Sequence, residues 1–160
     1  MVIKRILVPI DFSAGALKAL DYAGTLATQC DAELLLLHVV APIYVADPDL
    51  ASPDVTLLLD EQRRIAATHL ARIGAKLGRQ GQRCRTLVTY GAPAPVVVST
   101  ARTLRADVIV MGTHGRSGLA HLLIGSVAEK VVRTAHCPVL TVRGGARTVK
   151  RAARPRNYKR

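Results

Sequence analysis

Large rings are scarce in this chain. Its 160 residues hold no tryptophan, one phenylalanine and four tyrosines. The core must therefore be aliphatic, built from Val, Leu, Ile and Ala. The same scarcity counts against specific nucleic-acid recognition, because stacked bases need aromatic platforms. No helix-turn-helix or RNA-binding signature appears either. Nor does any apolar run reach the roughly 18 residues of a membrane span. Cysteines are few: Cys30, Cys84 and Cys137 are scattered, and no C-x-x-C pair points to a metal or redox site. A disulfide framework is not expected, and reduced thiols in a cytoplasmic protein fit better. The opening "MVIKRILVPIDFS" puts charge inside a short strand-like run and lacks a small-residue cleavage site, so no signal peptide is expected.

Acidic residues are also in short supply, at 11 against 23 Lys and Arg, for a net charge of +12. The excess is uneven. Residues 143 to 160, "RGGARTVKRAARPRNYKR", contain eight Lys or Arg and no acid, and removing those eight leaves +4 for the rest. Burial in that segment cannot offset its ordering entropy, so residues 144–160 read as a disordered basic tail on a domain spanning 1–143. Such a tail could contact polyanions without sequence preference.

Apolar runs and helix-period segments alternate along the domain. "VIKRILVPI" (2–10), "AELLLLHVV" (32–40), "RCRTLVTY" (83–90), "DVIVMG" (107–112) and "CPVLTVR" (137–143) read as strands. The second is apolar throughout, as expected for a strand covered on both faces, and the third alternates like a strand near an edge. Helices are expected over 15–30, 56–78, 92–106 and 126–136. The first would bury Ala16, Leu20, Ala23 and Ala27, with Leu17, Ala19, Leu26 and Cys30 beside them. Ser13 is its expected N-cap. The third helix starts with prolines, which suit a first helical turn, while 56–78 repeats apolar residues at Ala66, Leu70, Ile73 and Leu77. Residues 41–55 read as a Pro- and Asp-rich loop. This order predicts an α/β fold: one doubly wound, Rossmann-like parallel sheet of five strands with helices on both faces.

In such sheets ligands bind beyond the carboxyl ends of the strands, where the strand order reverses. Two strand ends stand out. Strand one runs into Pro9, Ile10, Asp11 and Ser13. Strand four runs into "GTHGRSGLAHLLIGS" (112–126), with four glycines in fifteen residues. If these strands are neighbours, Asp11 meets the glycine stretch. Gly112 and Gly115 would let the backbone turn tightly and expose N–H groups. Gly125 and Ser126 would open the last helix, whose free N–H donors and dipole suit phosphate. Asp11 could reach ribose hydroxyls or a divalent ion bridging phosphates. Each residue has a plainer alternative. Gly112 could simply end a strand, Asp11 could set a turn, His114 could be a solvated loop residue, and Arg116 could be a surface charge. His38, on an apolar strand, reads as a satisfied core residue, and His69, His121 and His136 carry no assigned chemistry.

The spacing Gly112-x2-Gly115-x9-Gly125-Ser126 resembles the nucleotide-binding motif of the universal stress protein family. "ILVPIDFS", "LLLLHVV" and the whole of "DVIVMGTHGRSGLAHLLIGSVAEKVVRTAHCPVLTV" are similar to that family's pattern in order and spacing, so the likeness covers residues 2–143. It implies strand order 3-2-1-4-5, a homodimer through the last strand, and membership of the ATP-binding branch. ATP, ADP or AMP would be the ligand, with magnesium as an accessory. Residue by residue, it implies that Pro9, Ile10 and Asp11 lie beside adenosine and that Val39 or Val40 touches adenine. Met111, Gly112, His114, Gly115 and Arg116 would line ribose and phosphates, and Gly125, Ser126 and Val127 would hold the phosphate chain. No triad, activated nucleophile or Walker lysine is present, so a sensor or switch that hydrolyses ATP slowly at most is expected rather than an efficient ATPase. The alternatives are an interaction module with a vestigial pocket and a nucleic-acid associating protein acting through its tail.

Overall fold

A computed structural model describes residues 2–41, 53–113 and 124–143. Nine elements follow in order: β1 (Arg5–Pro9), α1 (Ala14–Cys30), β2 (Glu33–Val40), α2 (Pro53–Arg79), β3 (Cys84–Tyr90), α3 (Pro93–Thr103), β4 (Val108–Gly112), α4 (Ser126–Thr134) and β5 (Val139–Val142). The strands form one parallel sheet in the order β3-β2-β1-β4-β5. The expected alternation and strand order are therefore present, and β1 and β4 are the neighbours at which the winding reverses.

The two faces of the sheet follow from the two-residue period of the strands. Ile6, Val8, Leu34, Leu36, Val108 and Val110 pack with α1 and α2. Leu7, Leu35, Leu37, Ile109 and Met111 pack with α3 and α4. Strands β1, β2 and β4 are covered on both sides, which is why their sequences are apolar without alternation. Strands β3 and β5 are the edges, with three exposed residues of seven in β3 and one of four in β5. At the amino ends of the central strands, the Asp107 carboxylate accepts the backbone N–H groups of Lys4 (2.7 Å) and Arg5 (2.8 Å). These two bonds anchor the start of β1 against β4, and the parallel pairing of the two strands brings their carboxyl ends out side by side.

Helix faces match the sequence periodicity with two departures. In α1, Ala16, Ala19, Leu20, Ala23 and Ala27 are buried, but Leu17 is 41% exposed. Helix α2 begins at Pro53, inside the stretch that reads as loop. Proline suits a first helical turn, where its missing N–H has no intrahelical acceptor to lose. Ala66, Leu70 and Leu77 are buried as expected, with Ile73 packed against them. The three cysteines are free thiols. Among the described residues no helix is long and apolar enough to cross a membrane. The tail, 144–160, lies outside the described residues.

Candidate functional site

The chain leaves β1 through a tightly held turn. The Ile10 N–H donates to the Leu37 carbonyl at 2.8 Å, carrying the β1–β2 pairing one residue past Pro9. Asp11 Oδ1 then accepts the Ser13 N–H at 3.0 Å, an Asx turn. Ser13 Oγ accepts the Ala16 N–H at 3.2 Å and caps α1, as its position predicts. Between them Phe12 has φ 65°, the left-handed region that costs a non-glycine residue roughly 1–2 kcal/mol. The turn-setting role open to Asp11 is thus real, but it engages one carboxylate oxygen. Asp11 itself is half-buried at the carboxyl end of β1.

Across from it, β4 ends at Gly112, in register with Val142 of β5. Gly112 is still a strand residue and does not make the expected tight turn. Its lack of a side chain has a different cause: a Cβ there would stand 2.9 Å from the Gly15 carbonyl carbon, 3.0 Å from its oxygen and 3.2 Å from the Ala16 nitrogen. The first turn of α1 lies directly on β4. Next, the buried Thr113 donates its N–H to the Val142 carbonyl (2.9 Å) and accepts the Gly125 N–H on its own carbonyl (2.6 Å). That second bond joins the two ends of the glycine-rich loop. Sequence reasoning gave Thr113 no role, since its two partners are distant in the chain. His114, Gly115 and Arg116 lie outside the described residues.

Gly125 is the N-cap of α4, with φ −71° and ψ 154°, and no side chain caps the helix. Because its own N–H is used by Thr113, the unsatisfied donors are those of the first turn after it, starting with Ser126 and Val127. Both residues are exposed. Their amides and the Ser126 hydroxyl form an uncapped, positively polarised helix end at the carboxyl side of β4.

The strand faces sort the remaining residues. The β1–β2 and β1–β4 registers pair Leu7 with Leu35 and Ile109, and Pro9 lies two residues further along the same face. Met111, 5% exposed, and the partly buried Val39 belong to this α3/α4 face as well. Ile10, 2% exposed, packs with the opposite cluster. Val40, 3% exposed, alternates away from Val39, and its carbonyl accepts the Gly91 N–H at 3.1 Å. Of the two valines, Val39 therefore shares a face with Pro9 and Met111, while the side chains of Ile10 and Val40 are buried away from that face and Gly112 lies against α1. Among the described residues no group of three or more His, Cys, Asp or Glu could hold a metal ion.

The comparisons with known proteins bear on the family and the fold. The model of the universal stress protein family matches residues 3–143. Universal stress protein MJ0531 of Methanocaldococcus jannaschii is 37% identical over 142 residues, covering 88% of this chain and 82% of the relative. Among solved structures, protein MJ0577 of the same organism superposes with TM-score 0.80 at 29% identity, covering 89% of this chain and 97% of that one. UspA from Lactobacillus plantarum superposes with TM-score 0.82 at 28% identity, covering 89% and 99%. A universal stress protein in complex with cAMP shares the fold at 24% identity and TM-score 0.68, covering 91% and 100%.

Proposed function

The chain belongs to the universal stress protein family, and from that membership we propose that it binds an adenine nucleotide, ATP foremost, as a stress-response sensor or switch. The observation that carries this reading is the meeting of three features at the winding reversal. The α4 N-terminus opens beside the end of β4 without a side-chain cap. Asp11 stands at the end of the neighbouring β1. Pro9, Val39 and Met111 offer an apolar surface on the α3/α4 face. Phosphates would take the amides of Ser126 and Val127, with Gly125 allowing close approach. Asp11 would take ribose hydroxyls or a magnesium ion shared with the phosphates. Adenine would lie on Val39. The same fold holds cAMP in a more distant relative. Hydrolysis would be slow at most, because the sequence carries no triad, activated nucleophile or Walker lysine. Two copies would assemble through β5 in the cytoplasm.

Thermal denaturation tests the reading. A ligand that binds only the folded state at 100 times its Kd adds about 2.7 kcal/mol of stability. For a domain of this size that is a rise of roughly 5–10 °C in Tm. ATP with magnesium is expected to give it, and GTP to give less. Absence of any shift with millimolar ATP, in protein shown by mass spectrometry to release no nucleotide on denaturation, rejects the proposal.

A further inference from the structure

His38 lies on β2 behind the candidate site, not in it. Its Nδ1 stands 2.6 Å from the Ile10 carbonyl oxygen. A carbonyl can only accept, so Nδ1 carries the proton. One face of the same ring lies against Phe12, with centroids 4.7 Å apart and planes tilted 31°. His69 of α2 meets Phe12 edge-on at 5.6 Å. The residues on either side of Asp11 are therefore both held by one imidazole: Ile10 by a hydrogen bond, Phe12 by ring contact. Phe12 is the only phenylalanine in the chain, and it keeps a left-handed backbone.

We propose that His38 is a positioning residue for Asp11. Its Nδ1–H fixes the Ile10 carbonyl and so sets the turn that presents the Asp11 carboxylate to the nucleotide. The idea rests on the nucleotide reading above for its effect on affinity, but not for its effect on the turn. Aspartate orientation depends on the Asx bond to Ser13, and that bond requires Ile10 and Phe12 to stay in place. His69 touches the Phe12 ring edge-on and makes no hydrogen bond to the turn backbone.

The test compares the full chain with His38→Asn, His38→Gln and His38→Phe. Asparagine keeps a donor at the Nδ1 position, glutamine moves it out to the Nε2 position, and phenylalanine keeps a ring without a donor. In ligand-free protein, exchange of the Ser13 amide measured by NMR is expected to rise about tenfold with glutamine or phenylalanine and to stay within about threefold of the parent with asparagine. The Kd for ATP is expected to follow the same order. Parent-like exchange and affinity in folded His38→Phe would overturn the proposal. So would losses that track each variant's Tm with no rescue by asparagine. If the phenylalanine variant does not fold, the asparagine–glutamine pair makes the same decision. If the parent itself fails to bind ATP, the nucleotide reading falls, and Ser13 exchange alone decides the role of His38.

Discussion

A single glycine separates packing from binding. Gly112 reads from sequence as part of a phosphate-holding stretch, yet the atoms within 3.2 Å of its absent Cβ belong to the backbone of Gly15 and Ala16. Backbone cannot rotate aside as a side chain can. Gly112→Ala is therefore expected to destabilise the ligand-free protein by about 1–3 kcal/mol, the usual cost of overpacking. Thermal unfolding without nucleotide measures this, and an unchanged Tm would return Gly112 to a role in binding alone. The glycine itself was legible in the sequence. Its reason was not, because the partner lies about a hundred residues away. The same holds for His38, whose satisfied state was legible but whose acceptor, Ile10, was not. Thiol chemistry is also set by surroundings. Burial, helped by the charge of Glu33, pushes the Cys84 thiol up to about 11. The thiolate is the reactive form. Raising the pKa therefore removes it at neutral pH and restores it only as pH climbs toward 11. Iodoacetamide labelling read by mass spectrometry should be slow at Cys84 in the folded protein at pH 7, and much faster at that cysteine in denaturant. Equal rates in the two states would contradict the burial of this thiol.

Elements were easier to read than their joints. Apolar runs gave the strands, because β1, β2 and β4 are buried on both faces, and three-to-four spacing gave the helices. The start of α2 was missed because proline and aspartate mark a loop and a first helical turn equally well. The start of α4 was legible through Gly125 and Ser126, but the sequence did not reveal that Thr113 consumes the Gly125 N–H. That bond makes the helix end testable. An aspartate at the N-cap satisfies first-turn amides and stabilises a helix relative to glycine by a few tenths of a kcal/mol. It also puts a negative charge where phosphate is proposed to sit. Gly125→Asp is expected to leave Tm unchanged or slightly raised and to weaken ATP binding by about tenfold or more, roughly the worth of a charge at a partly buried helix terminus. Undiminished affinity by calorimetry would remove α4 from the site. At the sheet edge, β5 follows Pro138, and Leu140 is 44% exposed. An apolar edge strand invites pairing. Leu140→Arg is expected to convert a dimer to a monomer at tens of micromolar, and light scattering of parent and variant checks both halves of that statement.

At the scale of the whole molecule, the charge is unevenly divided along the chain. Arg143, the last described residue, is tied to α1 by a 2.9 Å bond from Lys18 Nζ to its carbonyl. The proposed pocket and the β5 edge both precede it. Residues 144–160 hold seven Lys or Arg and no acid. Deleting 144–160 should therefore leave the ATP-induced rise in Tm and the assembly state unchanged. Polyanion binding should respond differently. Each phosphate neutralised on duplex DNA contributes about −0.9 to the slope of log affinity against log salt, so full engagement of the tail would give roughly −6. A run of charges seldom meets a phosphate with every member, and a shallower slope with no preference among sequences is expected for the intact chain. Affinity for DNA or RNA at low salt should largely vanish in the truncated protein. This pairing of outcomes separates a nucleotide sensor from a nucleic-acid binder. Loss of ATP binding on truncation would make the tail part of the pocket. Sequence-selective binding retained by the truncated domain at physiological salt would make nucleic acid its primary partner, with the sheet rather than the tail as the reading surface.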